Sequence, residues 1–151
     1  MVEDASGIDK LKGKVGEEWA AGTYEIEPGM IKRFVQAIGD SNPLWQNEDY
    51  AQKTKYGCTI APPTFIVTMG LDQIEPLLTS AHSTTLLHAS TELECYQPVM
   101  AGDSISVTIK LADIRERRSQ TGRTAFVTFA LTYRNQRQEL VARCRQMLIT
   151  Y

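Results

Sequence analysis

The second half of the chain alternates between apolar and polar residues, a pattern typical of β-strands. Residues 104–111 alternate cleanly, and residues 123–133 are rich in β-branched and aromatic side chains that share one parity. Residues 87–95 and 140–151 give two further predicted strands, and the parity change near Gln146 predicts a bulge or burial on both faces. Turn segments at residues 101–103, 120–122 and 135–138 separate these four strands and predict antiparallel hairpins.

The spacing of apolar residues in the first half predicts mainly helices, apart from a weak strand pattern at residues 19–26. Apolar residues at helical spacing predict a helix over residues 28–38, and Asn47 is a plausible N-cap for a short helix over 47–54. Residues 64–78 predict one long helix whose first half is apolar on every side, which is typical of a buried helix. The expected α+β fold is a curved antiparallel sheet wrapped around this long buried helix.

The length of 151 residues suits a single domain, which we expect over residues 15–151. Residues 1–14 contain little that is apolar and are expected to form a loose segment. The 16 basic and 18 acidic residues leave a net charge of −2 without a clustered basic excess, which argues against a nucleic-acid partner. No apolar run is long enough to predict a membrane span, and the polar N-terminus does not resemble a signal peptide.

The three cysteines, Cys58, Cys95 and Cys144, lie far apart and form no CxxC pair. Their spacing predicts reduced thiols and a cytoplasmic location. The two histidines, His82 and His88, are too few for a structural zinc cluster. The sequence therefore predicts neither a metal site nor a cofactor.

Three stretches resemble the MaoC-like hydratases and dehydratases, particularly the branch called the fatty-acid-synthase-type N-terminal dehydratase domain. They are Gly-Asp-Ser-Asn-Pro-Leu-Trp at 39–45, Ala-Pro-Pro-Thr-Phe at 61–65, and Tyr-Gln-Pro-Val-Met-Ala-Gly-Asp at 96–103. The resemblance extends over residues 16–149. It implies a single hot-dog domain that handles acyl-CoA or acyl-carrier thioesters.

The resemblance also assigns site residues. MaoC-like hydratases carry an Asp-x-Asn-Pro-x-His loop, and this chain supplies Asp40 and Asn42 but has Trp45 at the histidine position. An indole has no proton that titrates near neutrality, so Trp45 cannot relay protons. At the start of the long helix, Pro62 and Pro63 lack the N–H that would stabilise a thioester oxygen. Thr64 and Phe65 remain as backbone donors.

The resemblance thus implies Asp40 as the catalytic residue and a substrate-binding set of Asn42, Trp45, Thr64 and Phe65. Each has a simpler interpretation. Asp40 and Asn42 are good turn formers, and Trp45 can be a hydrophobic plug.

We expect an atypical or non-catalytic subunit that lines the acyl tunnel of a heteromeric hydratase or dehydratase. Such a chain would form a homodimer, or a heteromer with a hot-dog subunit that carries the intact Asp and His. Three alternatives stay open. They are an active homodimeric hydratase that uses Asp40, a hot-dog thioesterase that uses Asp72 or Glu75, and an acyl-thioester binding module.

Overall fold

A five-stranded antiparallel sheet forms the centre of the computed structural model, which describes residues 7–79 and 85–151. The strands are β1 (Glu18–Glu25), β2 (Leu86–Cys95), β3 (Ser104–Ser119), β4 (Gly122–Arg134) and β5 (Leu140–Thr150). Their order across the sheet is β1-β3-β4-β5-β2, so β1 and β2 are the edge strands. The predicted strands are confirmed, although β3 continues to Ser119 because residues 113–119 pair with residues 122–128 of β4.

One face of the sheet is buried. Its side chains from β3 and β4 are Ile105, Val107, Ile109, Leu111, Ala125, Val127, Phe129, Leu131 and Tyr133. The alternation in β5 runs unbroken through Gln146, which is buried on the same face as Cys144 and Leu148. The bulge expected near Gln146 lies instead on the facing strand, between His88 and Ser90 of β2.

In the described residues, five α-helices and one 3₁₀ helix accompany the sheet. They are α1 (Gly7–Lys12), α2 (Pro28–Ile38), α3 (Pro43–Gln46), α4 (Glu48–Gln52), the 3₁₀ helix (Pro63–Thr68) and α5 (Leu71–Thr79). Helix α2 buries Ile31 and Val35 and ends at Gly39 in the left-handed conformation (φ 69°), as its sequence predicts. Asn47 caps α4 by accepting a hydrogen bond from the Tyr50 N–H at 3.0 Å.

The prediction of one continuous helix over residues 64–78 is wrong. Residues 63–79, here called the covering segment, form the 3₁₀ helix and α5 with a break at Met69 and Gly70. Gly70 has φ +93°, and a Cβ atom there would lie 3.1 Å from Leu131 and 3.2 Å from Val107. The covering segment therefore packs on the centre of the sheet, and only glycine fits at the break.

Two tyrosines hydrogen-bond the backbone groups at this break. The Gly70 N–H donates to the Tyr24 hydroxyl oxygen at 3.2 Å, and that hydroxyl donates to Asp72 Oδ1 at 2.9 Å. The Tyr133 hydroxyl donates to the Met69 carbonyl at 3.3 Å. Backbone groups that a continuous helix would pair internally are thus paired by the sheet.

Residues 7–12 also differ from expectation. They form α1, which buries Ile8 and Leu11 in the core. Its Asp9 accepts a hydrogen bond from Arg123 at 2.6 Å, and its Lys12 pairs with Glu116, so α1 is tied to the β3–β4 hairpin. Ile8 and Leu11 are three residues apart, so they lie on one face of α1. Their burial anchors residues 7–12, which belong to the segment that the sequence predicts to be loose.

Candidate functional site

The loop after α2 positions Asp40. Helix α2 ends at Gly39, and the Asn42 N–H then donates to Asp40 Oδ1 at 2.9 Å. Asn42 in turn caps α3, since its Oδ1 accepts the Leu44 N–H at 3.0 Å. The residues chosen as turn formers therefore build a compact loop that ends in the short helix carrying Trp45.

The side chains of Asp40 and Trp45 are hydrogen-bonded to each other. The indole N–H donates to Asp40 Oδ2 at 2.9 Å, so each carboxylate oxygen accepts one hydrogen bond. The Asn42 N–H and the indole N–H hold the pKa of Asp40 below its ordinary value of 3.8. A carboxylate with a lowered pKa is a weak proton acceptor, which makes Asp40 a poor general base here.

An apolar pocket of about 290 Å³ lies beside Trp45. It is lined by Leu44, Trp45, Tyr56, Ile60, Ala61, Pro62, Pro63, Ile66, Cys95, Tyr96, Gln97, Pro98, Val99, Val141 and Ala142. All three stretches that carry the resemblance contribute to this lining, although they are distant in the sequence. The pocket also includes β2 and β5 residues, so it lies between the loops and one side of the sheet.

Of the site residues predicted from the sequence, one lines this pocket and four do not. Trp45 belongs to the lining, whereas Asp40, Asn42, Thr64 and Phe65 lie outside the lining that the described residues form. Phe65 is buried in the core, where its ring meets that of Phe34 edge to face at 5.5 Å. Its N–H donates to the Pro62 carbonyl at 2.9 Å. The Thr64 N–H is therefore left as the candidate donor for a thioester oxygen.

Several lining residues were not among the sequence candidates. Cys95, Tyr96 and Pro98 come from the end of β2 and the segment after it, and Val141 and Ala142 come from β5. The sequence pointed to Tyr96 and Pro98, because both lie in residues 96–103, which carry the family resemblance. No sequence motif pointed to the β5 residues, since their position beside the pocket depends on the strand pairing between Cys95 and Ala142.

The residues considered for thioesterase chemistry lie elsewhere. Asp72 and Glu75 are exposed on α5, outside the lining of the apolar pocket formed by the described residues. Hydrogen bonds from Gln73 and Tyr24 lower the pKa of Asp72. Asp72 is therefore a hydrogen-bond acceptor for Tyr24 at the helix break, a role that stabilises the fold.

Among the described residues, no histidine contacts Asp40. His88 lies on β2, where its Nε2 is 2.8 Å from Gln146 Oε1 and 2.9 Å from Thr91 Oγ1. His82 lies outside the described residues. Within residues 7–79 and 85–151, no group of three or more His, Cys, Asp or Glu side chains is arranged to hold a metal ion. In those same ranges, no helix has the length and apolar character needed to cross a membrane.

Comparison with known proteins identifies the family. The family model described as "FAS1-like, dehydratase domain region" matches residues 13–144. The chain is 28% identical to the "Probable enoyl-CoA hydratase alpha subunit" of Thermomonospora curvata, over 92% of this chain and 49% of that protein. The chain thus spans about half the length of this relative.

Solved structures share the architecture. A "MaoC-like dehydratase" superimposes with a TM-score of 0.79 at 22% identity, covering 93% of this chain and 43% of that chain. A "HadBC (3R-Hydroxyacyl-ACP Dehydratase) complex" from Mycobacterium tuberculosis superimposes with a TM-score of 0.74 at 20% identity, covering 90% and 96%. At these identities the likeness establishes the fold. The chain therefore belongs to the FAS1-like dehydratase domain region family and has the hot-dog fold of the MaoC-like hydratases and dehydratases.

Proposed function

We propose that this chain is a non-catalytic subunit of a heteromeric enoyl-thioester hydratase or 3-hydroxyacyl-thioester dehydratase. In this proposal it lines the acyl site, and a second hot-dog subunit supplies the catalytic Asp and His. The observation that carries the proposal is the hydrogen bond from the Trp45 indole to Asp40 Oδ2. It places an indole, which has no proton that titrates near neutrality, against the carboxylate of the family's catalytic loop.

The chemistry explains why a partner is needed. Hydration adds the oxygen of water to Cβ of the enoyl thioester and a proton to Cα, and dehydration reverses these steps. One group must take a proton from water and another must deliver a proton to Cα. Asp40 has a lowered pKa, and Trp45 cannot act as an acid or base. In this proposal the proton-transfer groups come from another chain.

This chain's own contribution is the apolar pocket. Its aliphatic and aromatic lining favours a hydrocarbon chain over water and holds the acyl group in one place. The Thr64 N–H, at the start of the 3₁₀ helix, is the donor that we assign to the thioester oxygen. A fixed donor near a developing negative charge stabilises the transition state.

A heteromer agrees with the relatives in two respects. The Thermomonospora curvata relative is named as an alpha subunit, and the HadBC structure is a complex. In this chain β2 is an edge strand, and its unpaired backbone groups offer a surface for another subunit. We also propose a cytoplasmic location, because Cys58, Cys95 and Cys144 are free thiols.

The test compares the purified chain with a complex. The chain alone and the chain co-expressed with a hot-dog partner that carries an intact Asp-x-Asn-Pro-x-His loop are assayed for crotonyl-CoA hydration at the enoyl absorbance. We expect little turnover from the chain alone and turnover on the order of 10 s⁻¹ from the complex. Turnover at that rate by the chain alone would contradict the proposal.

A gain-of-function variant sharpens the test. Trp45→His restores the family's loop, so we expect measurable hydration by the chain alone if the loop geometry is otherwise intact. Trp45→Phe is the matched control, because it removes the indole without adding an acid or base. Equal activity of these two variants would show that position 45 has no access to the thioester.

A further inference from the structure

The sheet has a second face, which points away from the covering segment and is here called the outer face. A pocket of about 150 Å³ lies on it, lined by residues of β3, β4, β5 and β2. These strands are neighbours in the sheet, so the pocket crosses them from side to side. The residues that line this outer pocket are distinct from those that line the apolar pocket.

Strand register explains the floor of the outer pocket. Thr128 follows Val127, which is buried in the core, so alternation places Thr128 on the outer face. Thr128 pairs with Asp113 on one side and with Met147 on the other, and Met147 pairs with Ser90. The floor is therefore one row of residues that includes two short side chains, those of Thr128 and Ser90.

Longer side chains flank this row on both sides. The pair of Arg115 and Phe126 lies on one side, and the pair of Arg145 and Glu92 lies on the other. All four residues line the outer pocket. A hollow forms because short side chains lie between long ones.

Two β-bulges bring charged and polar side chains to the outer pocket. The bulge in β3 lies between Leu111 and Asp113, and the bulge in β2 lies between His88 and Ser90. An extra residue reverses the faces of all later side chains in a strand. Without the two bulges, Asp113 and Glu92 would point toward the apolar core.

The hydroxyl of Thr128 has no hydrogen-bond partner within the described parts of the chain. Thr128 is only 6% exposed, although it lies on the outer face. A hydroxyl with so little access to solvent costs free energy while it stays unpaired. Because Thr128 lines the outer pocket, a molecule bound there is the partner open to it.

The charges around the outer pocket are only partly paired. Asp113 accepts a hydrogen bond from Arg115 Nε at 3.0 Å, so these two charges neutralise each other. Glu92 and Arg145 face each other across β2 and β5, but neither forms an ion pair or hydrogen bond with any described residue. One carboxylate and one guanidinium therefore stand side by side with their hydrogen-bonding capacity free.

We infer that the outer pocket binds a small zwitterion whose ammonium and carboxylate lie close together on an apolar body, as in an α-amino acid. Arg145 holds the carboxylate, Glu92 holds the ammonium, and the Thr128 hydroxyl adds a hydrogen bond. Phe126 and Met147 contact the apolar body. The volume is about half of the ~300 Å³ at which sites for drug-sized ligands begin, so the ligand is small.

This inference goes beyond the proposed function and does not depend on it. The test uses the full chain without thioester or partner and follows NMR chemical shifts during titration. The probes are L-leucine, 4-methylpentanoate, which lacks the ammonium, and 3-methylbutylamine, which lacks the carboxylate. We expect L-leucine to bind with a dissociation constant of about 1 mM or lower and each single-charge probe to bind about tenfold more weakly.

Substitutions assign the two charges. Arg145→Met and Glu92→Gln should each weaken L-leucine binding about tenfold, and Thr128→Val should weaken it less. Arg145→Met should not change the affinity for 3-methylbutylamine, which has no carboxylate to lose its partner. Glu92→Gln should likewise leave 4-methylpentanoate binding unchanged.

The matched controls are Arg143→Met and Glu94→Gln. These two residues form the next outward-facing pair on the same strands, but they lie outside the lining of the outer pocket. Both variants should bind L-leucine as the native protein does. Circular dichroism and thermal unfolding establish that each variant is folded.

Three results would overturn the inference. The first is no chemical-shift change with L-leucine at about tenfold above the expected dissociation constant. The second is equal affinity for all three probes. The third is L-leucine binding that folded Arg145→Met and Glu92→Gln leave unchanged. If these variants instead alter the sedimenting mass while L-leucine does not bind, the outer face is a contact between subunits and the zwitterion site is wrong.

Discussion

The Tyr133 hydroxyl donates a hydrogen bond to the Met69 carbonyl across 3.3 Å, at the break in the covering segment. Tyr133 has no exposed surface, and Met69 is 2% exposed, so water cannot replace this bond. We expect Tyr133→Phe to lower the free energy of unfolding by about 1–3 kcal/mol, because a buried carbonyl loses its donor. Urea unfolding followed by circular dichroism measures the change.

Tyr24→Phe is the matched control for that substitution. The Tyr24 hydroxyl also bonds the break, by accepting the Gly70 N–H, but this side chain is partly exposed. Water can replace part of what is lost, so we expect a smaller decrease in stability than for Tyr133→Phe. Equal effects of the two substitutions would argue that burial of the break does not matter.

Gly70 gives a second prediction about the same break. A Gly70→Ala substitution adds a Cβ atom 3.1 Å from Leu131 at a positive φ of +93°. We expect a loss of more than about 2 kcal/mol, since steric contact adds to backbone strain of about 1–2 kcal/mol. Gly57→Ala isolates the strain, because Gly57 has φ +70° with no heavy atom within 4 Å of the added Cβ.

The comparison is made by thermal or urea unfolding of both variants. If Gly70→Ala costs no more than Gly57→Ala, the covering segment does not press on the sheet at this point. A larger cost for Gly70→Ala measures the steric part together with the difference in backbone strain between φ +93° and φ +70°.

The sheet could be predicted from sequence because its signal is local. Side chains of β3 and β4 alternate between a buried and a solvated face, and this requires the period of two that the sequence carries. In the covering segment the local pattern predicts the wrong structure. Its helix propensity is local, but the contact that requires glycine at position 70 comes from Val107 and Leu131, which are distant in the sequence.

In the candidate site, too, local features could be predicted from the sequence and features that depend on distant contacts could not. Residues 39–45 could be chosen from sequence because turn chemistry and the family resemblance coincide there. The hydrogen bond between Trp45 and Asp40 could not be predicted, because it depends on the short helix α3, whose four residues leave no periodic pattern. The β5 side of the pocket depends on strand register alone.

The third prediction concerns the pKa of Asp40. Trp45→Phe removes the indole donor, so we expect the pKa of Asp40 to rise toward its ordinary value of 3.8, though not fully, because the larger effect of the Asn42 N–H remains. Carboxyl chemical shifts followed against pH by NMR report the change directly. An unchanged pKa would contradict the assigned hydrogen bond.

The sign of the effect on stability follows from the direction of the shift. Because the pKa of folded Asp40 lies below its ordinary value, the carboxylate stabilises the fold above about pH 4 and loses this contribution as the pH falls through the lowered pKa. We expect Trp45→Phe to show a weaker acid dependence. Asp40→Asn, which has no titration at this position, should show the weakest.

The fourth prediction is that the protein is not a monomer. The edge strand β2 runs from Leu86 to Cys95 and exposes most of its side chains, including Leu87 at 47%. An edge of this length is usually paired or covered. Sedimentation at micromolar concentration should give at least twice the chain mass of 16.9 kDa, and a monomer mass over that range would contradict it.

The last prediction tests the covering segment as the centre of the core. Ile66 and Met69 are each 2% exposed and belong to the main apolar cluster. A carboxylate at either position would be buried without a partner, so it would have to take up a proton or unfold its surroundings. We expect Ile66→Asp and Met69→Asp to lose more than about 4 kcal/mol, enough to give unfolded or insoluble protein.

Glu75→Ala is the control, because Glu75 lies in the same segment but is exposed. Its stability should stay within about 0.5 kcal/mol of the native protein, the usual range for surface substitutions. A stable Met69→Asp would mean that the covering segment can leave the sheet without unfolding the domain. Loss of a thioester-cleaving activity in a folded Glu75→Ala would instead favour the thioesterase alternative, because a solvated side chain outside the apolar pocket has no other route to affecting turnover.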